Sequence, residues 1–346
     1  MNTQHVPVLL NEVMEFLDPQ DGQVFVDGTF GRGGYTKAIL DKANTEVIAI
    51  DQDPEAIDAA QEVVAKYPKR LKVLHGKFGN MVELLDGQEV DGIVLDIGVS
   101  SPQFDNPERG FSFQNEARLD MRMSKSGESA YDIVNNYAEA DLANIIYIFG
   151  EEHFSRRIAR KIVAERPITT TTQLANVIRS VVPKGKKAID SSTKTFQALR
   201  IKVNDELGEL ERALQASETL LKENGKLAVV TFHSLEDRIL KTYLNNQSKT
   251  GNTTNRHLPI VDAPTTLPKF KLVNKKGVTA SDEEIRHNPR ARSARLRTAI
   301  RINKHAENSP CHHQARHPEL VSGSPGSKNE ILKQVQDDDG GDCCAE

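Results

Sequence analysis

Residues Val24–Gly34 read VFVDGTFGRGG, and about twenty residues further on Val47–Asp53 reads VIAIDQD. The pattern is an apolar strand, a glycine-rich turn, a helix, and a second strand that ends in a carboxylate. Glycine lets the backbone take left-handed dihedrals and approach a ligand closely, and an acid at the end of the second strand can accept hydrogen bonds from both hydroxyls of a ribose. The two segments therefore predict a nucleoside-containing cofactor. A dinucleotide site would space its glycines G-x-G-x-x-G, with a pyrophosphate on the helix N-terminus. Here Gly28, Gly31, Gly33 and Gly34 give G-x-x-G-x-G-G, and Asp27 sets a negative charge where a pyrophosphate would be repelled. A cofactor that lacks phosphate and carries an ammonium group fits better, so S-adenosylmethionine is expected. The plainer alternative is a tight strand-to-helix turn with no ligand. Against it stands the order of strand, glycine loop, second strand and acid.

Outward from this pair, strand signals recur at Lys72–His75, Asp91–Ile97 and Lys226–Phe232. Near-continuous Val, Ile and Leu in such runs marks strands buried on both faces, hence a parallel sheet with helices on either side. The fold expected is a doubly wound α/β sheet. From Glu128 to Asn224 the pattern turns helical, and Phe196, Leu199, Val203, Leu207, Leu210 and Leu214 keep one helical stripe. An all-helical insertion over residues 105–212 is expected to interrupt a core made of residues 1–104 and 213–303. Lys269–Lys276 and Leu296–Asn303 are expected to close the sheet as an antiparallel pair, and Leu244–Pro268 to be a mobile loop. Residues 304–346, rich in Ser, Gly, Pro and Asp, are expected to be disordered.

All three cysteines, Cys311, Cys343 and Cys344, lie in that tail, so the folded part holds no thiol nucleophile and no disulfide. The tail also carries the whole formal charge of −4, which leaves residues 1–303 neutral. No apolar run approaches the roughly 18 residues that span a bilayer, so a cytoplasmic protein without a membrane partner is expected. Cys311, His312, His313 and His317 lack a second ligand pair at zinc spacing, and no metal is expected. His5 is read as positional.

In a doubly wound sheet, ligands bind outside the carboxyl ends of the strands. That places Asp96-Ile97-Gly98-Val99-Ser100-Ser101-Pro102-Gln103 beside the glycine loop. Asp96 can accept from an exocyclic amine and Gln103 can orient a base or the cofactor; the alternative for Asp96 is a cap on backbone amides. Were the base a cytosine, methylation of ring carbon 5 would need a thiol, whereas an exocyclic amine needs only orientation, a proton acceptor and a methyl donor in line. His233 and Ser234, after the fifth strand, are expected at the rim to position substrate, with helix capping by Ser234 and Asp237 as the alternative; no G-x-S-x-G elbow supports a hydrolase. Basic clusters at Arg156–Arg166, at Lys184, Lys186 and Lys187, and at Arg286–Arg301 suit a phosphate backbone. In the last, strand alternation sets Arg295, Arg297 and Arg301 on one face, and Arg290 and Arg292 precede it.

The segments HVPVLLNEV, VDGTFGRGGY, AIDQDPEAI, HGKF, LDIGVSSPQFD, ERGFSF, LDMRM, TFQALRIKVNDEL, FHSLEDRI and NPRARSARLR follow one another across residues 5–303. In this the chain resembles the bacterial methyltransferase family that modifies the exocyclic N4 amine of a cytidine in the decoding region of 16S ribosomal RNA. The resemblance implies a class I S-adenosylmethionine-dependent methyltransferase fold with a helical insertion that recognises RNA, acting on the small ribosomal subunit. Carried onto matching positions, it implies cofactor contacts at Gly33, Gly34, Tyr35, Asp51, Phe78, Asp96 and Gln103, with Asp96 also catalytic. RNA contacts are expected at His233, Ser234, Arg290, Arg292, Arg295 and Arg297. Tyr35 stands where the family pattern has histidine. A non-catalytic RNA-binding assembly factor on the same fold is the competing reading, and an NAD-dependent oxidoreductase a third.

Overall fold

The computed structural model describes residues 7–182, 190–249 and 267–303. The expectations for His5, for Lys184, Lys186 and Lys187, for most of the Leu244–Pro268 loop, and for residues 304–346 lie outside them. Strands β1 (Val24–Asp27), β2 (Glu46–Asp51), β3 (Leu71–His75), β4 (Val90–Asp96), β5 (Leu221–Thr231), β6 (Phe270–Leu272), β7 (Val278–Thr279) and β8 (Arg295–Arg301) form one sheet in the order β3-β2-β1-β4-β5-β8-β6, with β7 also paired to β8. The first five are parallel; β8 runs antiparallel to both β5 and β6. The expected closing pair is therefore present, but β8 inserts between β5 and β6.

Thirteen α-helices occur among the described residues. Those along the first half of the sheet are α1 (Leu10–Leu17), α2 (Gly34–Lys42), α3 (Pro54–Lys66), α4 (Met81–Leu84) and α5 (Ser101–Asp105). The helical segment contains α6 (Ala130–Asn136), α7 (Glu139–Gly150), α8 (Ser155–Ala164), α9 (Thr171–Val181) and α10 (Thr193–Asn204). The chain then returns to the sheet through α11 (Glu206–Leu220), α12 (Ser234–Gln247) and α13 (Asp282–His287). Val47 to Ile50 are all buried, as a strand covered on both faces requires. One apolar cluster joins α1, α2 and α3 to one face of the sheet; a second joins α11 and α12 to the other. A third, built on Phe111, Leu119, Met121 and residues of α6 to α10, gives the helical segment its own core. The described residues nevertheless pack as a single compact unit.

Local signals account for several boundaries. Asp53 caps α3 by accepting from the Glu55 N–H at 3.0 Å, with Pro54 in the first turn. Thr170 and Gln173 form a reciprocal capping box at α9. The stripe from Phe196 to Leu214 departs from expectation: it does not lie on one helix. Asp205 takes a left-handed conformation (φ 51°) that ends α10 and starts α11, a conformation Asp tolerates better than most residues. Helix α12 also runs through Leu244 to Gln247, inside the stretch expected to be loop.

Candidate active site

The order 2-1-4 in the sheet leaves a crevice at the carboxyl ends of β1, β2 and β4, where connections leave in opposite directions. It is walled by the glycine loop, Asp51, Phe78, Asp96 and the loop after β4, and by Asn204, Glu206 and Glu209. The last three come from the end of α10 and the first turn of α11.

Of the expected cofactor residues, Gly34, Tyr35, Asp51, Phe78, Asp96 and Gln103 line this crevice, whereas Gly33 does not reach its wall. Gly33 is the N-cap of α2 with φ 70°, and a Cβ there would lie 2.7 Å from the Phe30 ring. At Gly34 a Cβ would come within 2.1 Å of Pro7, so the missing side chain lets residues 7–8 close over the loop. Tyr35 is buried and its hydroxyl donates to the Val8 carbonyl. Burial first, and then the charge of Asp96, hold that hydroxyl well above its usual pKa, so it stays a donor.

Asp27 works from beneath the crevice. It is fully buried and accepts from the Thr36 hydroxyl at 2.6 Å and from the Thr29 N–H at 3.2 Å, which ties the strand end to both sides of the glycine loop. Burial raises its pKa to about 6 against these hydrogen bonds. It therefore braces the loop rather than facing a ligand. Asp51 accepts from the Gly31 N–H and the Asp53 N–H, each at 2.8 Å, and burial raises its pKa.

Asp96 has a different environment. Its backbone N–H donates to Thr29 Oγ1 at 2.7 Å, but its buried Oδ1 has no hydrogen-bond partner among the described residues. Burial, with Asp27 and Glu236 nearby, pushes its pKa to about 8. The capping alternative for Asp96 finds no support at this oxygen. A buried acceptor at a crevice wall, without a partner of its own, suits an N–H donor or a cation brought by a ligand. The crevice therefore fits a cofactor bearing an ammonium group and an amine substrate.

Gln103 is already committed. Its Oε1 accepts from the Ser100 N–H at 3.0 Å, and its Nε2 donates to Asp53 Oδ2 at 2.8 Å. Arg109, which sequence reasoning missed, donates to the same oxygen at 2.7 Å and to the carbonyls of Arg122 and Met123. Both side chains of the Arg109–Asp53 pair are buried. Together they fix the loop after β4 against the start of α3, so Gln103 positions the loop.

Glu206, His233 and Glu236 bring donor atoms to within 4.8 Å of one another. Arg200, however, takes both oxygens of Glu206 at 2.8 Å. His233 Nε2 lies 2.8 Å from Glu236 Oε1, poorly aligned for a hydrogen bond. Its Nδ1 faces the Glu236 N–H at 3.4 Å, which sets the ring proton on Nε2. Arg200 thus accounts for Glu206, whereas His233 Nε2 and Glu236 Oε1 are buried without a hydrogen-bond partner among the described residues. The N-cap of α12 is His233, not Ser234, and Asp237 is held by Arg297, which corrects the capping alternative.

The arginine face is also corrected. Arg297 is 5% exposed, its guanidinium forked onto Asp237 at 2.6 and 3.0 Å. Arg301 is 1% exposed, donates to backbone carbonyls of Glu218 and Lys269, and lies over the Phe270 ring. Neither meets solvent as a phosphate contact must. Arg295 is half-exposed, Arg292 exposed. Arg290 faces the crevice instead, bonded to Ser101 and to Asp105 and stacked over Phe104. His233, Ser234 and Arg295 line a second cleft that shares Phe232 with the first.

None of the helices among the described residues is long and apolar enough to cross a membrane. Two relatives carry the name "Ribosomal RNA small subunit methyltransferase H". That of Rhodospirillum centenum is 55% identical over 305 residues, covering 86% of this chain and 92% of the relative. That of Granulibacter bethesdensis is 53% identical over 300 residues, covering 85% and 90%. A solved rRNA methylase from Streptococcus thermophilus superposes with a TM-score of 0.42 at 8% identity, covering 86% of this chain and 99% of that one. The MraW methylase family model matches residues 2–302. The chain belongs to that family, whose methyl donor is S-adenosylmethionine.

Proposed function

We propose that this chain methylates the exocyclic N4 amine of a cytidine in the decoding region of 16S ribosomal RNA. The observation that carries the choice of atom is Asp96, which lines the crevice with a carboxylate whose buried Oδ1 has no partner among the described residues. The names of the relatives support ribosomal RNA of the small subunit as the substrate. When bound, the cofactor supplies an electrophilic methyl group. Asp51 is proposed to accept from the ribose and Phe78 to lie against the adenine, with Gly34 leaving room for the backbone. Asp96 in its ionised form accepts a hydrogen bond from the amine, orients the nitrogen lone pair, and takes the proton that the amine sheds as it gains the methyl. No cysteine occurs before Cys311, so no described residue offers the thiolate that attack through carbon 5 requires. Gln103 and Arg109 hold the loop that follows Asp96. The test is to incubate small subunits from a strain lacking the enzyme with labelled S-adenosylmethionine. Label in N4-methylcytidine is expected; its absence there, with the enzyme folded and cofactor-bound, would sink the reading.

A further inference from the structure

The second cleft carries a feature that methyl transfer does not use. Its wall includes Ser234, Arg238, Lys241, Ser293 and Arg295, and it meets the crevice across Phe232. The Asp237 carboxylate in this wall is held by the buried Arg297, with Arg295 a further 3.7 Å from it. The other charges of the wall are basic. Bound to two of these wall residues is Glu151, at the C-cap of α7 in a left-handed conformation (φ 49°). One of its carboxylate oxygens accepts from Ser234 Oγ at 2.7 Å and the other from Arg238 at 2.8 Å. These two contacts, Arg238 first, hold the Glu151 pKa below its ordinary value. A hydroxyl at the first residue of the 14-residue α12 and a guanidinium one turn on, bound to separate oxygens of one anion, make the donor set that a phosphate diester takes. Arg238 and Glu151 remain well exposed, at 63% and 44% of their side chains, so exchange of one anion for another needs no opening of the core.

We propose that this cleft is a seat for an RNA backbone phosphate next to the target nucleotide, and that Glu151 is a resident carboxylate that the phosphate displaces. Ser234, Arg238, Lys241 and Arg295 then hold the phosphate, and Glu151 turns out to solvent. The exchange sets a threshold on binding: an isolated anion competes with a tethered carboxylate, whereas an RNA strand anchored elsewhere brings its phosphate at high local concentration. The inference rests on the reading of the substrate as RNA, but not on which base or atom is methylated.

The test is equilibrium binding of small subunits to the full-length protein over a series of KCl concentrations at fixed magnesium, beside calorimetric binding of S-adenosylmethionine. Arg238→Ala and Lys241→Ala should each weaken subunit binding about fivefold and lower the salt slope by about 1, as loss of one phosphate contact does. Glu151→Gln should act in the opposite sense and tighten binding, because the seat loses its internal anion. Cofactor affinity should stay at the wild-type value in all three, which also reports that they fold. The proposal is overturned if Glu151→Gln leaves subunit affinity unchanged or weaker, or if Arg238→Ala binds with an unaltered salt slope. Nucleoside analysis of the same mixtures separates the two claims. Altered binding with no N4-methylcytidine in the wild type would remove the proposed reaction and leave the phosphate seat standing.

Discussion

At Asp96 the chain keeps a carboxyl group under conditions that disfavour its charge: burial, Asp27 and Glu236 together raise its pKa to about 8. An acid whose folded pKa lies above its unfolded value makes the folded state bind more protons. Its contribution to stability therefore falls as pH rises from about 4 towards 8 and is flat beyond. Asp96→Asn should accordingly melt at a higher temperature than wild type, by a margin that widens over that range; an equal or lower melting temperature at pH 8 would contradict the assignment. The same change should lower kcat by about 100-fold or more, the scale of general acid–base catalysis. Wild-type kcat/KM should rise with pH up to about 8, and a flat profile there would remove Asp96 as the proton acceptor. The position of Asp96 was legible in the sequence because an acid at the end of a buried strand can only lie at the sheet's carboxyl edge. Gln103 was read less well. Its amide faces the crevice in sequence terms, yet Asp53, fifty residues away in the chain, engages it.

Elements around the site were legible where their signals are local and obscure where a remote partner decides. The five parallel strands followed from apolar runs, and α3 from Asp53 and Pro54. The break at Asp205 did not, because apolar spacing continues through it from Val203 to Leu207 and only one residue leaves the helical region. That break is what turns Asn204 and Glu206 towards the crevice. Alternation along β8 correctly put Arg297 and Arg301 on one face, but nothing local reveals that the acid of α12 and the ring of Phe270 cover it. The loop after β4 depends on a similar remote contact. Arg109→Ala would leave the buried Asp53 carboxylate with only neutral donors, so a loss of about 3 kcal/mol is expected in urea denaturation. The variant should also bind S-adenosylmethionine more weakly, since the loop that carries Gln103 loses its brace. Unchanged stability would show that the pair contributes nothing net.

For the molecule as a whole, a doubly wound sheet supplies one edge on which Asp51, Asp27, Asp96 and Thr231 end the successive strands β2, β1, β4 and β5, and the helical segment supplies the facing wall. Ligand binding at that edge must stabilise the fold. S-adenosylmethionine at 100 times its Kd should add about 2.7 kcal/mol, visible as a raised melting temperature, while NAD should add none. Stabilisation by NAD alone would restore the oxidoreductase reading that the glycine spacing argued against. The central claim, that one crevice presents a cytidine amine to Asp96 beside the methyl donor, is tested most directly by a crystal structure with S-adenosylhomocysteine and cytidine bound together. The account predicts the N4 nitrogen about 2.7–3.2 Å from an oxygen of the Asp96 carboxylate. An amine turned away, with Asp96 still lacking a partner, would contradict it.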